Sequence, residues 1–239
     1  MTPLHLVSLP IRLQALRKWA AGRGFGADEG CALHHLLSET FGKGVLQPFR
    51  LMVAPGAAGG SLYAYAHSDE AALREVAAEC ALSDALAVCD LPSLAVKVMP
   101  EKWKPGRRVA FDVRVRPVRR VLKAAGVFSA GREIDAYLLE SLRAFPDGRA
   151  SENTLKREDV YRHWLERRFS EAAKLEQATM VRYERRAVLR GAKNGDGPDV
   201  VWHGELTILD GDKFNARLAS GVGRHAAFGY GMLLLRPAR

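Results

Sequence analysis

The chain has 239 residues, 48% of them hydrophobic, which is enough for a packed core and too apolar for a disordered protein. Its formal charge is +9. No apolar run is long enough to span a membrane, and Met1 to Leu13 lacks the basic start and the cleavage site of an export signal, so a cytoplasmic protein without a membrane partner is expected. Cys31, Cys80 and Cys89 form no C-x-x-C pair, which fits reduced thiols and offers no four-ligand zinc site.

Leu4 to Leu9 reads as a short strand ended by Pro10, followed by a loop rich in glycine (Gly22, Gly24, Gly26). Asp28 offers an N-cap for a helix through about Phe41, closed by Gly42, with Leu33, Leu36, Leu37, Thr40 and Phe41 along one side. Phe49–Val53 and Ser61–Ala66 are predicted strands around the Pro55–Gly60 turn. Ser68-Asp69-Glu70 opens a second helix to about Leu82, and Leu94–Val98 is a further strand. The order β-α-β-β-α-β is ferredoxin-like.

The order then recurs. Val109–Val118 alternates strictly and predicts a strand; a basic, glycine-bearing linker leads to a helix from about Leu155 to Ala173. Ala178–Leu189 and Val200–Leu209 are predicted strands joined by a Gly/Asn/Asp turn, Asp212 is the expected cap of a helix over Lys213–Ala219, and Gly231–Leu235 closes the set as a strand. The expected fold is α+β, two tandem ferredoxin-like modules over residues 1–105 and 106–239, with the junction at Pro105-Gly106. Modules that recognise RNA share this fold, which makes an RNA partner plausible on shape, although fold alone does not give function.

Charge divides the two halves. Residues 1–105 hold ten Lys/Arg and ten Asp/Glu, whereas the remainder holds 26 basic and 17 acidic residues. All the excess charge lies in the second half, as a polyanion partner would require. Arg114, Arg116, Arg119 and Arg120 alternate along the predicted strand, and in an unbroken strand Arg114, Arg116 and Arg120 share a face. Arg162, His163, Arg167 and Arg168 follow on the long helix, and Tyr183, Arg185 and Arg186 on the next strand; each set also reads as an ordinary solvated face.

The segment Gly221-Val222-Gly223-Arg224-His225-Ala226-Ala227-Phe228-Gly229-Tyr230-Gly231 puts four glycines, a basic pair and two aromatics in eleven residues. Bare backbone N–H groups in such a loop form a concave anion site, to which Arg224 and His225 add charge. Its G-x-G-x-x-A string lacks the βαβ context of a dinucleotide site. On the first helix, with Leu33 inward, His34 lies about 100° around and His35 about 200° around, so His34 borders the buried face and His35 faces solvent. A histidine near neutral pKa can give or take a proton. No G-x-S-x-G, H-E-x-x-H or Walker loop is present, and the carboxylates are scattered.

These segments together resemble the CRISPR repeat-RNA processing endoribonucleases, close to the CasE (Cse3) subgroup of the RAMP superfamily. The resemblance is carried by Leu33-His34-x-x-Leu37-x-x-x-Phe41, by Phe111-x-x-Arg114-x-x-Pro117-x-Arg119-Arg120 with Arg116 where Asn is usual, by Trp164-Leu165-x-x-Arg168, by Gly204, and by Ser220 to Leu235. It implies metal-free, cofactor-free cleavage of precursor CRISPR RNA at the base of the repeat hairpin, with attack by the upstream 2′-hydroxyl and a 2′,3′-cyclic phosphate product. It further implies that the mature crRNA is kept for an effector complex of other CRISPR-associated subunits. His34 matches the family histidine that serves as general acid or base. Cys31 stands where relatives often carry tyrosine one turn earlier. RNA contacts are expected from Arg114, Arg116, Arg119, Arg120, Arg162, Gly221, Gly223, Arg224 and His225, with no metal site. The alternative is a non-catalytic RAMP subunit that only binds crRNA.

Overall fold

A computed structural model describes residues 2–26, 28–123, 128–145, 154–190 and 193–238. The first four-stranded sheet contains β1 (His5–Arg12), β2 (Phe49–Met52), β3 (Gly59–Ala66) and β4 (Ala95–Val98), in the order β2-β3-β1-β4. The second contains β5 (Arg108–Val115), β8 (Ala173–Arg190), β9 (Lys193–Ile208) and β10 (Leu233–Pro237), in the order β10-β5-β9-β8. Both orders are ferredoxin-like, and every pairing is antiparallel. A two-stranded sheet, β6 (Val118–Arg120) with β7 (Glu133–Asp135), stands apart.

The helices cover one face of each sheet. On the first lie α1 (Leu13–Gly22), α2 (Glu29–Phe41), α3 (Glu70–Cys80) and α4 (Ser83–Val88). Val7, Leu9 and Ile11 from β1 meet Leu33, Leu36 and Phe41 from α2 in one core. After α5 (Ala136–Ala144), the second sheet is covered by α6 (Arg157–Phe169) and α7 (Gly211–Ser220). Phe111, Trp164, Trp202 and Phe214 centre its core, which also takes in Leu4, Tyr65, Met99 and Trp103 from the first half. Tyr65 donates its hydroxyl proton to the Leu233 carbonyl across the boundary at 2.8 Å. On the far face, Arg50 of β2 forms a buried ion pair with Asp112 of β5.

Several elements differ from expectation. Pro10 does not end β1; it lies past the end of the β4 pairing, where its missing N–H costs no ladder bond, and its carbonyl accepts from Asp90 N at 3.0 Å. The expected glycine loop begins with α1, whose Leu13, Leu16, Trp19 and Ala20 are buried. The linker contains β7 and α5, while its stretches 124–127 and 146–153 lie outside the described residues, as does the hairpin tip at 191–192. Asp210, not Asp212, caps α7, accepting from Lys213 N at 2.9 Å. The β5 strand stops at Val115, and Pro117 separates it from β6, so the four arginines at 114–120 do not share one strand.

Candidate active site and nucleic-acid interface

α2 is held at both ends by the residues expected to hold it. Asp28 accepts from Cys31 N at 3.0 Å, and Gly42 leaves the helix with φ +93°, a conformation that favours glycine. Leu33, Leu36 and Leu37 point inward, so His34 emerges half-buried at the border of the core. It opens into a small crevice with Ser38, Gly42, Gly44, Gln47 and Phe49. Burial lowers the His34 pKa, and the neighbouring charges of His35 and Lys43 lower it further. A shift in that direction favours the neutral imidazole over the charged one. His35 does not face solvent: it is half-buried, with its ring stacked on Phe25 at 4.4 Å.

The glycine loop comes to this helix from the other half of the chain. Val222 N donates to Gly231 O at 2.8 Å, and Gly231 N donates to Arg114 O at 2.7 Å, which closes the loop and ties it to β5. The short turn Ala226–Phe228 then lies on α2, with the Phe228 ring 5.1 Å from that of His34. His34 and the terminal loop therefore lie together.

The glycines in this loop serve the protein's own packing. A Cβ at Gly223 would lie 2.8 Å from the Trp164 ring, and φ there is +85°. Close approach of the backbone to Trp164 by itself requires glycine at this position. Gly221 has φ +77° and terminates α7.

The expected RNA-binding cations divide sharply. Arg114 is stacked 4.5 Å over Tyr230 and holds fully buried Asp199 with two hydrogen bonds, of 2.9 and 2.6 Å. Burial works against its charge, but the hydrogen bonds and charges of Asp199 and the nearby Tyr230 outweigh it and hold the guanidinium above its usual range. Burial likewise pushes the Asp199 carboxyl up, and Arg114, Arg182 and Arg186 more than reverse that. Arg116 is buried as well. Arg119 pairs with Glu140 at 2.5 Å, Arg162 with Glu166 at 3.4 Å, and Arg224 with Glu133 at 2.5 Å. His225 is buried, with Nε2 2.8 Å from Glu133. Arg120 is exposed and donates to the Gly131 carbonyl at 3.1 Å.

A second group centres on Arg168, which the sequence places among the basic residues of the long helix, and adds Arg217, which the sequence does not single out. Arg168 stacks 4.9 Å over Trp164, one helical turn earlier. Trp164 packs on Gly223 and donates to Val118 O at 3.2 Å, bringing Arg224 and Arg119 to the same surface. Arg217 reaches the Gly221 carbonyl at 3.5 Å. Burial lowers the Arg168 pKa, and Arg217, Arg119, Arg167 and Arg224 add like-charge repulsion. Among the described residues, Arg167, Arg168 and Arg217 form no ion pair with a carboxylate. The available signal was the Trp164-x-x-x-Arg168 spacing, which puts a guanidinium over an indole.

A family model described as CRISPR associated protein matches residues 4–237. The chain belongs to that family. A search of curated proteins gives no match. The solved structure of a CRISPR endoribonuclease Cse3 bound to a 19-nucleotide RNA is similar at 20% identity and TM-score 0.68, covering 98% of this chain and all of that one. Thermus thermophilus Cse3, bound to an RNA representing a pre-cleavage complex, gives 19% and 0.67 with the same coverage. Cas6e from Escherichia coli K-12 gives 18% and 0.62, again over 98% of this chain and all of that one. This CRISPR associated protein thus has the Cse3 fold of two ferredoxin-like modules. Among its described residues no helix is long and apolar enough to cross a membrane, and no three His, Cys, Asp or Glu side chains converge as metal ligands would.

Proposed function

We propose that the chain is a CRISPR repeat-RNA endoribonuclease, with residues 1–105 supplying the proton-transfer group and residues 106–239 most of the charge that binds the repeat hairpin. The observation that carries this reading is the meeting of His34 with a terminal loop nearly 200 residues away, on the half of the chain where Arg168 and Arg217 form no ion pair with a carboxylate among the described residues. A half-buried, neutral imidazole suits removal of a proton from a ribose 2′-hydroxyl. The freed oxygen attacks the adjacent phosphorus, the bond from phosphorus to the 5′-oxygen breaks, and the leaving oxygen takes up a proton. The products are a 2′,3′-cyclic phosphate and a 5′-hydroxyl, and no redox partner is needed. Lys43, an exposed cation whose charge bears on His34, offsets the charge that builds on the phosphate in this reading. Arg168, Arg217, Arg224 and Arg120 offer the hairpin phosphates a surface beside the crevice. After cleavage the protein keeps the crRNA and hands it to an effector complex.

Incubation with the cognate repeat RNA in EDTA tests this reading. The wild-type protein should cut. His34→Ala should slow cleavage by about 10²–10⁴ with hairpin affinity largely kept, and a substrate with a 2′-deoxy nucleotide before the cut should bind and stay whole. Wild-type cleavage by His34→Ala would refute the assignment. Binding without cleavage by the wild-type protein would favour the crRNA-binding subunit.

A further inference from the structure

Phe228 is held from several sides before it reaches His34. His225, which launches its turn, has φ +70°, an uncommon conformation for a residue other than glycine. The His225 ring is buried against Glu133, and Glu133 also accepts from Arg224. Phe228 N donates to His225 O at 2.8 Å, and the flanking loop is closed by the Val222–Gly231 and Gly231–Arg114 bonds. The turn so fixed meets one face of α2 at two levels. The Phe228 carbonyl fills the space over Gly30, where a Cβ would come within 2.5 Å of it. One helical turn on, the Phe228 ring lies against the His34 ring, tilted by 46°. Among the described residues the other ring neighbour of His34 is His35, at 5.3 Å, which is itself stacked on Phe25.

We propose that Phe228 is a positioning residue: it limits the rotamers open to the His34 imidazole and shields one side of the ring from water. This rests on His34 being the proton-transfer group. Phe228 has no proton to exchange, so its effect is on placement alone. The restraint matters because a half-buried imidazole without it can swing about two torsions, and a displacement of about 1 Å at a reacting group costs on the order of 10² in rate. The device also links the two halves of the site, since the same loop that carries Arg224 sets the orientation of a side chain on α2.

The test compares Phe228→Ala, Phe228→Leu and Phe228→Tyr in single-turnover cleavage at saturating protein, with hairpin Kd measured separately and the His34 imidazole titrated by NMR. Phe228→Ala should slow cleavage about 10- to 100-fold with less than about a threefold change in Kd, and Phe228→Tyr should stay close to wild type. In Phe228→Ala the His34 pKa should rise toward about 6.5 as water reaches the ring, with His35 and Lys43 unchanged around it. Phe228→Leu keeps apolar bulk and should fall between, and it replaces Phe228→Ala if that variant fails to fold. Wild-type cleavage and an unmoved His34 titration in Phe228→Ala, with His34→Ala inactive alongside it, would overturn this proposal alone. A loss confined to Kd would overturn it too. Wild-type cleavage by His34→Ala would bring down the functional reading itself, and this proposal with it.

Discussion

Arg114 and Arg168 lie in the same half of the molecule, and each is stacked on an aromatic ring, at 4.5 Å over Tyr230 and 4.9 Å over Trp164. Their electrostatic settings are opposite. Arg114 is closed by the buried carboxylate of Asp199, and its pKa is raised. Arg168 is surrounded by four other arginines, and its pKa is lowered. The first charge is already satisfied inside the protein; the second would be stabilised by an anion brought from outside. A count of positive residues cannot separate the two, because the partner that neutralises Arg114 lies 85 positions away in sequence.

The comparison is easiest to break through stability. Arg114→Ala should cost about 3–5 kcal/mol, since it strips the main partner from a buried carboxylate. Arg168→Ala should stay within about 1 kcal/mol, because the lost stacking is set against relief of like-charge repulsion. Urea denaturation of both variants checks this; equal losses would erase the distinction.

A smaller effect is expected for Gly223→Val. The added side chain meets the Trp164 ring and forces a β-branched residue into positive φ, so the fold should lose about 1–3 kcal/mol. Hairpin affinity should fall with it, because Trp164 carries Arg168. Weaker RNA binding with unchanged stability in urea would instead point to direct backbone–phosphate contact at Gly223.

The smallest expected change is in salt dependence. Arg168→Ala and Arg217→Ala should each weaken hairpin binding and lower the slope of log K against log salt by about one unit. An Arg162→Ala control, removing an exposed cation already paired with Glu166, should change the slope less. Equal slopes in all three variants and the wild type would move the phosphate contacts elsewhere.

Much of the fold was legible because local rules and tertiary structure agree. Asp28, Gly42 and the leucines between them specify α2 without help from the rest of the chain, and strict alternation specifies β5. Where they disagree, the reading failed. Pro10 reads as a strand end, yet it falls where no neighbouring strand needs its N–H, and that misplaced boundary hid the Leu13, Leu16, Trp19, Ala20 spacing of α1. The place of His34 at the core border followed from helix geometry alone. The burial of His225 did not, because it depends on Glu133, a residue in a short strand that only its pairing with β6 defines. Arg168 was visible as a helical cation, but its surroundings come from β6, α7 and the terminal loop, and no local pattern joins these.

The β8–β9 hairpin outruns its sheet. β5 pairs with β9 only as far as Val115 and Val200, while β8 and β9 continue together to Arg190 and Lys193. Seven further residues of strand amount to an arm of about 23 Å, at about 3.3 Å per residue. Asp199 sits at the root of that arm and gathers Arg114, Arg182 and Arg186. By simple leverage, a change of about 5° in tilt at Asp199 carries the far end through about 2 Å, given that length. One carboxylate and the three guanidinium groups that grip it therefore anchor the arm at its root, and Arg116 lies against it at Gly197.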